Sequence, residues 1–351
     1  MGSLFRRAQS TKGPTRLLLP IQLDEIPGVW SDFAGIPRPH WDIVQNWIEQ
    51  QQSQHDLAQV YWKLTFDWLQ ALQRSLGTPF QCWETENFRM LAPFSPTRAR
   101  YQLQFLELSR AKVLSWLGDL CWTEDLGPHV VVVLKGPQQY WEYFSYFGID
   151  GEQGGSIGCN IRQGYPHIAL FDSEVSHMQT TLAHELVHGF LCHRGMPLWL
   201  EEGLCGIFPS MVGCEGSSLA TLPDEIGRIR QVLREPGVLA DFWSGEAFAS
   251  PREDLQRAAY HLAEVLIRLI LDQTRGPQFH RFLQDAQFED SGESSALNHL
   301  KRSLGDWAAT FLGPGEWAPE LASAVEEEGY RHEHERHPGH HHGIELHVEL
   351  A

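Results

Sequence analysis

Between Met178 and Leu191 the chain sets Met178, Leu182, Ala183, Leu186, Val187, Phe190 and Leu191 around three ionisable residues, His184, Glu185 and His188. Apolar residues at these spacings cover most sides of an α-helix, so the helix is expected to lie inside a core. Two imidazoles and a carboxylate on such a helix need partners, because a buried polar group left unpaired costs roughly 2–7 kcal/mol. Residues four apart share one helix face. His184 and His188 can therefore hold one metal ion between them, and the ion satisfies both. Ser176 with Gln179 predicts the start of this helix as a capping box, and Gly195 followed by Pro197 predicts its end.

The rest of the sequence suits a folded chain around that helix. It has 351 residues, 42% of them hydrophobic, enough for one large domain or two smaller ones. The formal charge of −18 excludes nucleic acid as a general partner, since phosphate binding needs a basic surface. The longest apolar runs, Val130 to Leu134 and Val265 to Leu271, fall far short of a membrane span. Arg6, Arg7, Lys12 and Arg16 are followed only by Leu17, Leu18 and Leu19, too few for the core of a signal peptide, and Arg6 breaks a myristoylation pattern. A soluble, cytoplasmic protein without membrane contact is expected. Cys82, Cys121, Cys159, Cys192, Cys205 and Cys214 form no C-x-x-C pair, and reduced, buried thiols are expected.

Along the chain, residues 1–35 read as an irregular leader, basic and then rich in Pro and Gly. Residues 36–79 read as a Trp-rich helical region, with helices marked by Trp41, Val44 and Trp47 and by Leu57, Val60, Leu64, Trp68 and Leu72. Residues 80–315 read as the catalytic domain. Strands are predicted near Asn87–Leu91, His129–Leu134, Ser156–Ile161 and His167–Phe171, and helices from Pro96 to Leu117 and from Pro137 to Phe147. After the central helix, further helices are predicted from Pro197 or Leu198 to Ile207 and at 224–234, 252–274, 277–286, 294–303 and 306–312. Residues 320–351 form an acidic tail with seven histidines, a composition expected to be disordered and solvated.

Two imidazoles and one carboxylate around zinc leave a position for water, and Glu185, next to the ligand face, can take a proton from that water. The chain continues Pro197-Leu198-Trp199-Leu200-Glu201-Glu202-Gly203-Leu204. His184-Glu185-Leu186-Val187-His188 followed by this segment resembles the gluzincin zinc metallopeptidases, in particular the peptidase-MA-like branch with its H-E-x-x-H and W-L-x-E-G motifs. The resemblance runs over residues 80 to 312 in the order of elements, and only the two motifs are specific. It implies that His184, His188 and Glu202 ligate Zn2+, with Glu202 chosen over Glu201 because it stands directly before Gly203. A metzincin would need Gly at 191 and His at 194, where this chain has Leu191 and Arg194. The chain departs from related gluzincins four residues after Glu202, where an acidic side chain orients a zinc-bound histidine and this sequence has Gly206.

The resemblance further implies an α+β zincin-like domain: a small mixed sheet over the active-site helix, then a helical C-terminal subdomain. It implies a zinc-dependent peptidase that acts on a peptide or protein with Glu185 as general base and then acid. Tyr260 is the candidate donor to the oxyanion, with His261 beside it as the alternative. His177 and His193 have the wrong spacing to complete the site. The strand at His167–Phe171 is a candidate edge strand for pairing with extended substrate; Gly154, Gly155 and Gly158 near the preceding strand are read as turn glycines, with close approach of substrate as the alternative. The competing expectation is a non-catalytic metal-binding or interaction protein that works through its helical N-terminus and His-rich tail. Neither reading specifies an oligomeric state.

Overall fold

The computed structural model describes residues 6–7, 22–50, 57–122, 127–147, 157–214 and 223–319. Most of the expected leader, the turn at Gly154 and Gly155, and the acidic His-rich tail lie outside the described residues. The described chain is α+β and divides into two units, one within residues 1–112 and 123–189, the other within 113–122 and 190–319.

The first unit begins with a two-residue strand β1 (Arg6–Arg7), then a hairpin of β2 (Trp30–Phe33) and β3 (Ile36–Pro39). Ala34 and Gly35 join the two hairpin strands with φ of 55° and 78°. That is the twisted two-residue connection hairpins favour. The leader is therefore not irregular throughout. Pro37 and Pro39 sit in the second strand of this two-stranded ribbon, where a missing N–H is tolerated. Helices α1 (Trp41–Gln50) and α2 (Leu57–Leu76) follow, where the apolar spacing predicts them.

A mixed sheet completes the unit. It contains β1, β4 (Gln81–Glu84), β5 (Phe88–Ala92), β6 (His129–Leu134), β7 (Gly158–Ile161) and β8 (His167–Phe171), in the order β1-β4-β5-β6-β8-β7. The neighbours β5, β6 and β8 run parallel; the outer pairings are antiparallel. Helix α3 (Pro96–Leu117) lies between β5 and β6 in sequence, and α4 (Pro137–Phe144) between β6 and β8, as parallel neighbours require. The run Val130–Leu134 is wholly buried at the centre, the pattern of a strand covered on both faces. Val44, Leu64, Trp68 and Leu69 of α1 and α2 join Val130, Val132, Tyr140 and Phe144 in one core.

Two expectations need correcting. The strand at His167–Phe171 is not at the edge: β6 bonds one side and β7 the other. Its near-continuous burial is that of an interior strand, and β7 forms the edge. Helix α5 (Val175–Leu191) starts one residue before Ser176, and Met178 N–H already bonds the Glu174 carbonyl at 3.0 Å. Ser176 is thus inside the helix and cannot be its cap.

The second unit is helical. Its main helices are α6 (Leu198–Met211), α7 (Pro223–Leu233), α8 (Val238–Ser244), α9 (Glu253–Gln273) and α10 (Gly276–Asp285), then a short α11 (Glu293–Ser295) that widens into a π-turn, and α12 (Leu304–Leu312). Helix α6 packs along α9 through two glycines. A Cβ on Gly203 would lie 2.7 Å from the Ala263 carbonyl oxygen, and one on Gly206 would lie 2.6 Å from Glu264 Cγ. Among the described residues no helix is long and apolar enough to cross a membrane.

Candidate metal centre

Helix α5 brings His184 and His188 together as the four-residue period requires. His184 Nε2 and His188 Nε2 stand 3.1 Å apart. Two nitrogens at 2.0–2.1 Å from a tetrahedral ion lie about 3.3 Å apart, so the pair has the spacing of two ligands on one zinc. Glu185 is 7% exposed. Its Oε2 accepts a hydrogen bond from the Asn160 backbone N–H at 2.7 Å, and Asn160 Nδ2 donates to the Glu185 carbonyl at 3.1 Å. Asn160 of the edge strand β7 thus holds Glu185 at two points, its carboxylate and its backbone carbonyl.

Small residues make that clamp possible. A Cβ on Gly158 would lie 2.8 Å from Thr181 Cγ2 of α5, and a Cβ on Gly189 would lie 3.2 Å from Asn160 Nδ2. Gly158 is therefore a close-approach glycine and not a turn residue. Of the flanking histidines, His177 is exposed, and His193 packs edge-on against Trp122 at 5.3 Å.

In the second unit, α6 buries Trp199, Leu200, Glu201, Glu202, Leu204 and Cys205 together. Trp199 anchors its first turn by donating from Nε1 to the Ser291 carbonyl at 2.9 Å and stacking edge-on against Trp243. Glu201 and Glu202 are 7% and 8% exposed, so burial alone does not choose between them. At Gly206, where the resemblance leads one to expect an acidic side chain, a carboxylate comes from another helix. Glu264 Oε1 of α9 lies 2.8 Å from where a Cβ of residue 206 would sit. Glu264 is buried, and the missing side chain is what gives it room. Tyr260, one turn earlier on α9, is half-buried with its ring edge-on to Phe248 at 5.1 Å. His261 is buried beside Phe311, and burial holds its imidazole below the usual histidine range.

Among the described residues, His184, His188 and Cys205 form a donor set that could hold a metal ion. Two imidazoles and a thiolate suit zinc. The sequence reading takes Cys205 as one of six inert thiols, yet it lies three residues after Glu202, on the same helix face. That spacing was the available signal.

No protein-family model matches the chain, and no curated protein matches it. Among solved structures the chain is similar to a two-domain M1 zinc metallopeptidase, a point mutant crystallised with L-arginine. Sequence identity is 12%, the TM-score is 0.32, and the match covers 68% of this chain and 50% of that one. The chain therefore spans about half the length of that protein. A likeness this distant decides nothing about chemistry.

Proposed function

We propose that the chain is a zinc-dependent peptidase whose metal is held by His184, His188 and Glu202. The observation that carries this proposal is the 3.1 Å separation of the two Nε2 atoms beside a clamped Glu185. When bound, zinc would supply the Lewis acidity that activates water and polarises a peptide carbonyl. The rest of the chemistry falls to the chain's own side chains. Glu185 takes the proton and passes it to the leaving amine, and the Asn160 N–H holds its carboxylate in one orientation for both steps. Tyr260 is the proposed donor to the oxyanion.

The third donor comes from α6. Only residues 192–197 separate α5 from α6, so the connection can reach at most about 20 Å. Glu202 carries a charge that compensates the metal, and Glu264, in the place left by Gly206, supplies the supporting carboxylate. The substrate class is a peptide or protein segment. The test is cleavage of a peptide library by zinc-loaded protein. Wild type is expected to cleave and Glu185→Gln to lose at least a hundredfold in rate at unchanged zinc content; a fully active Glu185→Gln protein would sink the mechanism.

Cys205 favours a second reading, a non-catalytic metal site that draws on two imidazoles and a thiolate. Cobalt(II) substitution separates the two. Nitrogen and oxygen ligands give only weak visible bands, whereas a thiolate adds an intense charge-transfer band that Cys205→Ser removes.

A further inference from the structure

The first unit contains a cavity of about 380 Å3, lined by neither His184 nor His188, that the proposed chemistry does not use. Its lining includes Arg38, the start of α1 at His40, Trp41 and Asp42, the rings of Trp68 and Phe147, and Gln45. The volume lies in the range of small-molecule sites, and the mixture of aromatic walls with a few polar groups is what such sites present.

Arg38 is the unusual member. It is only 3% exposed, and among the described residues it forms no ion pair. Its guanidinium carbon stands 4.4, 4.2 and 4.7 Å from the ring centroids of Tyr143, Tyr146 and Phe147. Nη2 donates to the Tyr143 carbonyl, and Nε is buried with no hydrogen-bond partner. A buried cation without an anion is costly, and burial lowers the affinity of this guanidinium for its proton. An anion placed against it removes that cost.

The beginning of α1 points the same way. The first intrahelical bond is Val44 N–H to the His40 carbonyl, so the amides of the preceding turn have no acceptor within the helix. Helix N-termini attract anions through those amides and the helix dipole. Asp42 also lines the cavity from that turn, but it is exposed to solvent and makes no ion pair with Arg38 among the described residues.

The aromatic walls are rigid. His167 Nδ1 donates to the Tyr165 carbonyl at 2.8 Å, which leaves Nε2 to accept from the Tyr143 hydroxyl at 2.7 Å. Trp68 meets His167 and Trp41 edge-on, with centroids 5.1 and 5.6 Å apart. Gly164, with φ of 74°, lets its turn lie on the Trp41 ring, where a Cβ would come within 2.7 Å of Cδ1.

We propose that this cavity binds a small organic carboxylate with a flat apolar body. The carboxylate pairs with Arg38 and the first turn of α1, and the body lies between Trp41, Trp68 and Phe147. Phenylacetate is the probe and phenylacetamide its neutral isostere, with binding followed by calorimetry and by quenching of tryptophan fluorescence in the full chain. Phenylacetate is expected to bind at least tenfold more tightly than the amide, because a hydrogen bond between a guanidinium and a carboxylate is stronger than one to a neutral amide. Gln45→Glu places a like charge in the lining and should weaken phenylacetate at least fivefold while leaving the amide unchanged. Arg38→Gln should abolish the preference for the acid; if that variant does not fold, Gln45→Glu decides. Equal affinity for acid and amide, indifference to Gln45→Glu, no binding at millimolar probe, or inorganic phosphate binding as tightly as phenylacetate would each overturn the proposal.

Discussion

The contact between α6 and α9 offers a sharp test, because two glycines on one helix face meet neighbours of different stiffness. Gly203→Ala would put a methyl 2.7 Å from the Ala263 carbonyl oxygen and 2.6 Å from Ile267 Cγ1. Ordinary contact begins near 3.4 Å, so the helices must part by about 0.7 Å, and a backbone carbonyl inside a helix cannot turn aside. Overpacking of this kind costs up to about 3 kcal/mol, and the better helix propensity of Ala returns up to about 1, so a net loss of roughly 2 kcal/mol is expected. At Gly206 the obstacle is the Glu264 side chain, with Cγ at 2.6 Å and Oε1 at 2.8 Å. Gly206→Ala should destabilise wild type, but in a Glu264→Ala background the new methyl has room. A double-mutant cycle should show a coupling of at least about 1 kcal/mol at 206 and 264, and none between 203 and 264. The assay is urea unfolding followed by circular dichroism. A neutral Gly203→Ala variant, or equal coupling of both glycines to Glu264, would refute the packing described for these helices.

Three further outcomes are expected. His167 is buried, and burial holds its imidazole at about 4, below the 6.5 of an exposed histidine. The unfolded chain therefore takes up the proton first as pH falls. Stability contributed by neutral His167 is full above pH 6.5 and is lost down to pH 4, by up to roughly 3 kcal/mol. A His167→Gln variant should show a shallower acid loss in denaturant titrations at pH 7 and pH 4.5, and an identical one would contradict this. Arg89 is 2% exposed and pairs with Glu84 at 3.0 Å, so Glu84→Ala should cost about 3 kcal/mol, whereas breaking the exposed Lys63–Asp67 pair by Lys63→Ala should cost under about 1. Equal effects would show that burial does not set the worth of these pairs. Asn160→Ala removes the Nδ2 bond to the Glu185 carbonyl but keeps the backbone N–H on its carboxylate. It should lower peptide cleavage several-fold with zinc content unchanged, and a Glu185→Gln-like collapse would mean that the side chain, not the backbone, holds the base.

Much of this was legible from residue spacing. The β-branched run at Val130–Val133 and the apolar periods of α2 and α9 declared a buried strand and two helices. Their burial is local in sequence and repeats with the element's own period. The hairpin at Trp30–Pro39 was hidden because Pro and Gly read as irregular chain, and only the φ values at Ala34 and Gly35 make a turn there. The place of His167–Phe171 in the sheet could not be read, since strand order depends on pairing between distant segments. At the candidate centre, the α5 geometry follows from the four-residue period. The Asn160 clamp and the approach of Glu264 to Gly206 join residues 25 and 58 positions apart, which no local pattern encodes. The Arg38 cavity draws on the hairpin, α1, α2, the turn after α4 and the β7–β8 turn, and for the same reason is silent in the sequence.

The central claim is one zinc on the α5 histidines, and bound-metal content tests it most directly. After dialysis against a weak chelator, the chain with residues 320–351 removed should retain one zinc per molecule. His188→Ala in the same background should retain none while keeping its helical circular dichroism. Zinc that disappears with the His-rich segment, or that survives His188→Ala undiminished, would contradict the account.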